Sequence, residues 1–203
     1  MDRKPGHLPR DVRAVASSLI WIKVVGIGNV GVGKTSLIKH FCESKFSTGY
    51  QPTVGVDYGF KVEAVQGIDL RVHLWDLSGS CEYEDVRNEL YSDTDVVFIV
   101  YDVTNQSSFE GVELWLREFA TYGNNTALMC LVGNKTDLRE DHGVSPLDAK
   151  RWAAQRGMSY FETSCASGEG VQTMFSEMLL ATTRKKQLAA DVSQHPAVTQ
   201  HAS

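Results

Sequence analysis

The first regular stretch of apolar positions is Ile20–Gly28 (IWIKVVGIG), a nearly unbroken run that ends in glycine. Such a run suits a strand covered on both faces. Within Thr35–Cys42, Leu37, Ile38 and Phe41 recur at helical spacing. From Val54 to Val65 the chain alternates, with Val54, Val56, Tyr58, Phe60, Val62 and Ala64 on one face. Gly67 marks a turn, after which Leu70, Val72 and Leu74 alternate with Arg71 and His73. These two segments predict an antiparallel hairpin.

Strand then helix repeats through the rest of the chain. Val96–Tyr101, Ala127–Val132 and Ser159–Thr163 read as strands. Ser107-x-x-Glu110 reads as a capping box, opening a helix that carries Phe109, Val112, Leu116 and Phe119. Ser145-Pro146 opens the next helix, which stops at Gly157. The last helix carries a core stripe of Val171, Met174, Phe175, Met178 and Leu179. The alternation predicts an α/β fold: a mostly parallel six-stranded sheet with one antiparallel strand and helices on both faces. Ligands of such sheets bind beyond the carboxyl ends of the strands. One domain is expected at 19–184, between a flexible N-terminal extension (1–18) and a flexible tail (185–203).

Composition narrows the function class. Twenty Lys and Arg against 25 Asp and Glu give a formal net charge of −5, which offers no reason to expect nucleic-acid binding. Cys42, Cys81, Cys130 and Cys165 are scattered, without a C-x-x-C pair or zinc-ligand spacing, and read as reduced thiols of a cytoplasmic protein. The N-terminus lacks a signal-peptide core, position 2 is Asp2 rather than Gly, and no run reaches membrane-span length.

Gly28-Asn29-Val30-Gly31-Val32-Gly33-Lys34-Thr35 fits G-x-x-x-x-G-K-[ST] between a strand and a helix, the context that phosphate-binding motif requires. Its glycines let backbone N–H groups converge on phosphate oxygens, and the helix N-terminus adds positive potential. Asn29, Val30, Gly31, Val32, Gly33, Lys34, Thr35 and Ser36 are the candidate phosphate residues. Lys34 is expected to reach the β/γ-phosphates, and the Thr35 hydroxyl to coordinate Mg²⁺.

With these residues the chain resembles the Ras superfamily of small GTPases, a P-loop NTPase fold, and within it the Rab-like branch, over about Ile20 to Thr183. Gln51–Asp57 resembles the first switch of Rab proteins. The resemblance implies that Thr53 offers its hydroxyl to Mg²⁺ and its N–H to the γ-phosphate. Trp75-Asp76-Leu77-Ser78-Gly79 resembles W-D-T-A-G, implying that Asp76 holds Mg²⁺ through water and that the Gly79 N–H bonds the γ-phosphate. Lys34, Thr53 and Gly79 are thus the candidate catalytic residues, and Thr35, Thr53 and Asp76 the candidate metal residues.

Asn134-Lys135-Thr136-Asp137 matches N-K-x-D and points to guanine. A carboxylate at Asp137 accepts from guanine N1–H and its 2-amino group; adenine would leave it unpaired. Ser164-Cys165-Ala166 takes the place of the family's S-A-K, implying a Cys165 backbone N–H for guanine O6, while Ala166 replaces the lysine. Phe46 stands where the family places an aromatic across the base, and reads equally well as a core residue.

Three features depart from the family. Ser80 replaces the water-orienting glutamine, and Val30 occupies a position usually small; both predict slow hydrolysis of GTP to GDP. The sequence ends without a prenylatable cysteine, so no direct lipid anchor is expected and membrane recruitment would go through a partner. Arg184, Lys185 and Lys186 read as a solvated helix end. The second switch, Ser80–Arg87, is acidic and unlike Rab sequence. The lost glutamine and lipid site resemble the RJL offshoot, some of whose members carry a J domain.

Tyr58, Trp75 and Leu90 fall where Rab proteins display an apolar patch, implying protein effectors and regulators and a role in signalling or vesicle trafficking. The expected molecule is a monomeric guanine-nucleotide switch with weak GTPase activity. The alternative is a GTP-loaded binding module that hydrolyses almost nothing. A P-loop ATPase or kinase is disfavoured by Asn134–Asp137.

Overall fold

In the computed structural model, which describes residues 20–194 apart from 48, 50 and 140–142, the apolar run forms β1 (Ile20–Gly28) at the middle of the sheet. It pairs in parallel with both β3 (Ile68–Leu77) and β4 (Val96–Asp102). Ile22 and Val24 enter one core and Val25 and Ile27 the other, which is why this strand tolerates little polarity. With β2 (Val56–Val65), β5 (Leu128–Asn134) and β6 (Ser159–Thr163) the order is β2-β3-β1-β4-β5-β6. Only β2 runs antiparallel, pairing Val56 with Leu77 and Val65 with Ile68. The expected six-stranded α/β architecture is therefore the one observed.

Two helices cover one face: α1 (Lys34–Glu43) and, counting in chain order, α6 (Val171–Gln194). Leu37, Phe41, Met174 and Phe175 meet Val24, Leu74 and Phe98 there. On the other side lie α2 (Glu84–Leu90), α3 (Gln106–Glu110), α4 (Val112–Tyr122) and α5 (Pro146–Ala154), with Val112, Trp115, Phe119, Ala149 and Ala153 buried against Val97, Ile99 and Tyr101. Parallel register brings the carboxyl ends of the strands to one edge: Gly26 lies beside Asp76, and Asn134 beside both Asp102 and Thr163.

Three local expectations are corrected. The helix after β4 is capped by Asn105, whose side chain accepts from the Ser108 N–H, rather than by Ser107; Glu110 turns to Gln106 instead of closing a capping box. The final helix continues past Arg184 to Gln194, because Lys, Gln, Leu and Ala are strong helix formers that need no apolar stripe. Arg184–Lys186 thus lie within α6, where Lys186 pairs with Asp95 at 2.8 Å and Lys185 donates to the Thr126 carbonyl. The expectations for 1–18 and 195–203 lie outside the described residues.

The alternating face of β2 looks outward: Tyr58, Phe60 and Val62 are about half exposed, at 48, 49 and 52 %. The other face packs on α1, where Gly59 meets Ile38 and Cys42 and Lys61 donates to the Phe41 carbonyl.

Phe175 links the core on the α1 side, stacking on Phe41 at 4.1 Å and edge-on to Phe98 at 5.8 Å. Phe175→Ala should cost about 3–5 kcal/mol, read as a lowered urea midpoint without a change in slope.

Candidate functional site

A left-handed bend follows β1, and α1 starts from Gly33 (φ 103°) without a side-chain cap or an acidic residue in its first turn. The first N–H groups of α1 therefore keep their potential for an anion. A Cβ on Gly33 would lie 2.2 Å from the Asn134 amide nitrogen, so only glycine fits. Lys34 is buried, and its ammonium donates to the Gly28 and Asn29 carbonyls at 2.7 and 3.0 Å. Burial pulls its pKa down to about 8, with the Asp76 carboxylate acting the other way.

Thr35, Thr53 and Asp76 converge from three segments. The Thr35 hydroxyl donates to Asp76 Oδ2 at 2.5 Å, Thr53 does so at 3.2 Å, and the two hydroxyls are 3.0 Å apart. Among the described residues, Asp76 Oδ1 is buried without a hydrogen-bond partner. Burial raises the Asp76 pKa, opposed by the Thr35 bond and the Lys34 charge. One carboxylate and two hydroxyls with a spare buried oxygen fit a hard cation such as Mg²⁺, which takes few protein oxygens and shares the rest with phosphates and water.

The residues expected on the base side come from the end of β5 and the loops after β5 and β6. Asn134 is buried; its amide donates to the Val32 carbonyl at 2.9 Å and its oxygen accepts from Thr163 at 3.0 Å. Ser164 donates to Asp137 Oδ1 at 2.5 Å, orienting that carboxylate. Lys135 adopts a left-handed conformation (φ 68°) and pairs with Asp102 at 2.6 Å. The Cys165 thiol lies 3.6 Å from Asn134, and burial pushes its pKa up to about 12.

One cavity of about 1140 Å³ joins the two halves. Val30, Gly31, Gly33, Lys34, Thr35, Ser36, Phe46, Thr53, Gly79, Ser80, Lys135, Asp137, Cys165 and Ala166 all line it. Phe46 is 45 % exposed at its wall, which removes the reading as a core residue. Two candidates turn away: the Val32 side chain is buried in the core, and Asn29 accepts from the Trp115 indole at 2.7 Å. Asp102 and Arg87 were missed by sequence reasoning. Asp102, directly after an apolar strand, offered the only signal at its position; Arg87 offered its four-residue spacing to Tyr91.

Residues 23–184 match the sequence model described as the Ras family. The chain is 38 % identical over 168 residues to DnaJ homolog subfamily C member 27 of Gallus gallus, covering 80 % of this chain and 62 % of that protein. It is 36 % identical over 165 residues to the proteins of that name in Bos taurus and Homo sapiens, covering 79 % of this chain and 60 % of each. The chain thus spans about three fifths of the length of these relatives. Among the described residues, no helix is long and apolar enough to cross a membrane.

The Lys135–Asp102 pair gives the base loop a pH signature. Burial works to raise the Asp102 pKa, but the bonds to Lys135 and Thr104 outweigh it and hold the carboxyl below its ordinary 3.8. A carboxyl depressed on folding contributes stability above its unfolded pKa and loses it as pH falls through the folded value. Asp102→Asn should therefore cost roughly 1 kcal/mol at pH 7. Denaturant titrations should show that gap closing below about pH 4.

Proposed function

This chain belongs to the Ras family, and from that premise we propose that it is a guanine-nucleotide switch of the Rab-like branch, in the RJL-type offshoot. The observation that carries the reading is that Lys34 and Asp137, from the loops after β1 and β5, line one cavity. Backbone amides of the Gly28–Thr35 loop and the start of α1 grip the phosphates, and the Lys34 ammonium neutralises their charge. Asp137, fixed by Ser164, accepts from the guanine ring edge. Phe46, Lys135, Cys165 and Ala166 wall the base. Thr35, Thr53 and Asp76 hold Mg²⁺, which when bound offsets charge on the terminal phosphates.

Catalysis of GTP hydrolysis is weak in this reading. Ser80 and Val30 both face the cavity, Val30 with 55 % of its surface exposed. A serine hydroxyl on one carbon lacks the reach of a glutamine amide, and a β-branched side chain crowds the terminal phosphate. The outward face of Val56, Tyr58, Phe60 and Val62, continued by Trp75, serves protein effectors and regulators. An edge-to-face contact of 5.1 Å between Tyr58 and Trp75 joins the two strands of that surface.

Two measurements test the proposal. Calorimetry with Mg²⁺ should show GTP and GDP binding far more tightly than ATP, and Asp137→Asn should weaken guanine-nucleotide binding by about 100-fold or more, because an amide donor then faces guanine donors. Equal affinity for ATP overturns the reading. In single-turnover assays, Ser80→Gln with Val30→Gly should accelerate hydrolysis at least about tenfold, because a glutamine amide reaches and orients the attacking water and the valine no longer crowds the terminal phosphate.

A further inference from the structure

The turn that faces the terminal-phosphate end of the cavity is held from behind by a buried arginine. Arg87, on α2, is 3 % exposed. Its guanidinium donates to the Ser80 carbonyl at 2.6 Å and to the Ser78 carbonyl at 3.4 Å. The remaining donors form a two-pronged bridge to Glu118 on α4, at 2.7 and 2.9 Å, and the Tyr91 hydroxyl donates to the same carboxylate at 2.6 Å. Burial works against the guanidinium charge, and the Glu118 bond and charge outweigh it. The planar fork suits this task, since one lysine ammonium could not span two carbonyls and a carboxylate together.

Peptide geometry gives the clamp a consequence for the cavity. In a trans peptide the carbonyl of one residue and the N–H of the next point in opposite directions. Holding the Ser78 carbonyl therefore fixes the direction of the Gly79 N–H. Gly79 itself lies against the phosphate loop: a Cβ there would come within 2.6 Å of the Val30 nitrogen and the Gly28 carbonyl. The same helix anchors that loop, because Trp115 of α4 donates to Asn29 at 2.7 Å and its ring lies 4.7 Å from the Arg87 guanidinium. Turn and loop are thus referenced to one rigid element.

We propose that Arg87 is a positioning residue for recognition of the terminal phosphate: clamped by Glu118, it holds the Ser78–Ser80 turn so that the Gly79 N–H is aimed before nucleotide arrives. The inference rests on the guanine-nucleotide reading above. A preset donor spares GTP the cost of ordering the turn, whereas GDP has no terminal phosphate to meet it. Loss of the clamp should therefore act on GTP and leave GDP nearly untouched.

The test measures affinity of the full chain for GDP and for a non-hydrolysable GTP analogue, both with Mg²⁺. Arg87→Gln should weaken the analogue about tenfold, equivalent to about 1.4 kcal/mol, with GDP within about twofold. Arg87→Lys should fall between wild type and Arg87→Gln. Hydrogen exchange at Gly79 and Ser80 should rise in the nucleotide-free variant. Equal loss for both nucleotides, or no loss for the analogue, overturns the proposal. If wild type binds neither nucleotide, the guanine-nucleotide reading fails instead. Should Arg87→Gln not fold, the pair Arg87→Gln with Glu118→Gln, which leaves no unpaired buried carboxylate, is read by the same two affinities.

Discussion

The site depends on a helix that begins without a cap. Backbone N–H groups at a helix start need acceptors, and most helices supply one from a nearby side chain. Here the chain turns through Gly31 and Gly33 with positive φ and enters α1 with no capping side chain. Lys34 adds to the imbalance, because its buried ammonium has two carbonyl partners and, among the described residues, no carboxylate in direct contact. A polyphosphate supplies what both lack: acceptors for the amides and negative charge for the lysine. The glycine-built, positively biased loop makes sense as a site whose hydrogen bonds are completed by its ligand.

Asn134 ties this loop to the opposite end of the cavity. It donates to the Val32 carbonyl, accepts from Thr163, and excludes any side chain at Gly33. Three strand ends are therefore locked by one buried amide whose hydrogen bonds are all directional. That lock sets the separation between the phosphate loop and Asp137, and so the length of ligand that bridges them. Under the proposed reading, selectivity for a purine nucleotide of fixed length would be a property of the sheet edge as much as of Asp137 itself.

Much of this was legible in the sequence because the information is local. The G-x-x-x-x-G-K-[ST] spacing, N-K-x-D and the apolar strand before each place Lys34, Thr35, Asn134 and Asp137 without any tertiary knowledge. Thr53, Asp76 and Gly79 needed the family resemblance, since an isolated threonine or aspartate at a strand end has many bland uses. What stayed hidden was tertiary. Arg87 and Glu118 sit 31 positions apart, and each alone reads as a solvated charge. The outward apolar face of β2 was legible only through the family resemblance at Tyr58: period two identifies a strand, but which face is covered depends on where α1 packs. Asn105 won over Ser107 as cap because Ser108 is already engaged with Asp102 backbone groups, which fixes where the helix begins.

The two segments that flank the terminal-phosphate end are held by unlike means. Between Ser44 and Gly55 no described residue belongs to a helix or strand, and Thr53 is tied to the site through hydroxyl bonds to Thr35 and Asp76. Those bonds compete directly with a metal ion, because they use the very oxygens that a hard cation would take. Ser78–Ser80, by contrast, is held by Arg87 of a buried ion pair that does not line the cavity, and by the Ser78 N–H on the Gly55 carbonyl at 2.9 Å. Under the proposed reading, the segment carrying Thr53 would trade its hydroxyl partners when metal and phosphate enter, while the Gly79 turn would keep its own. The apolar surface beside them is carried on β2, whose start at Val56 directly follows Gly55. Under the proposed reading, a change at Thr53 would arise only three residues from the start of the exposed strand.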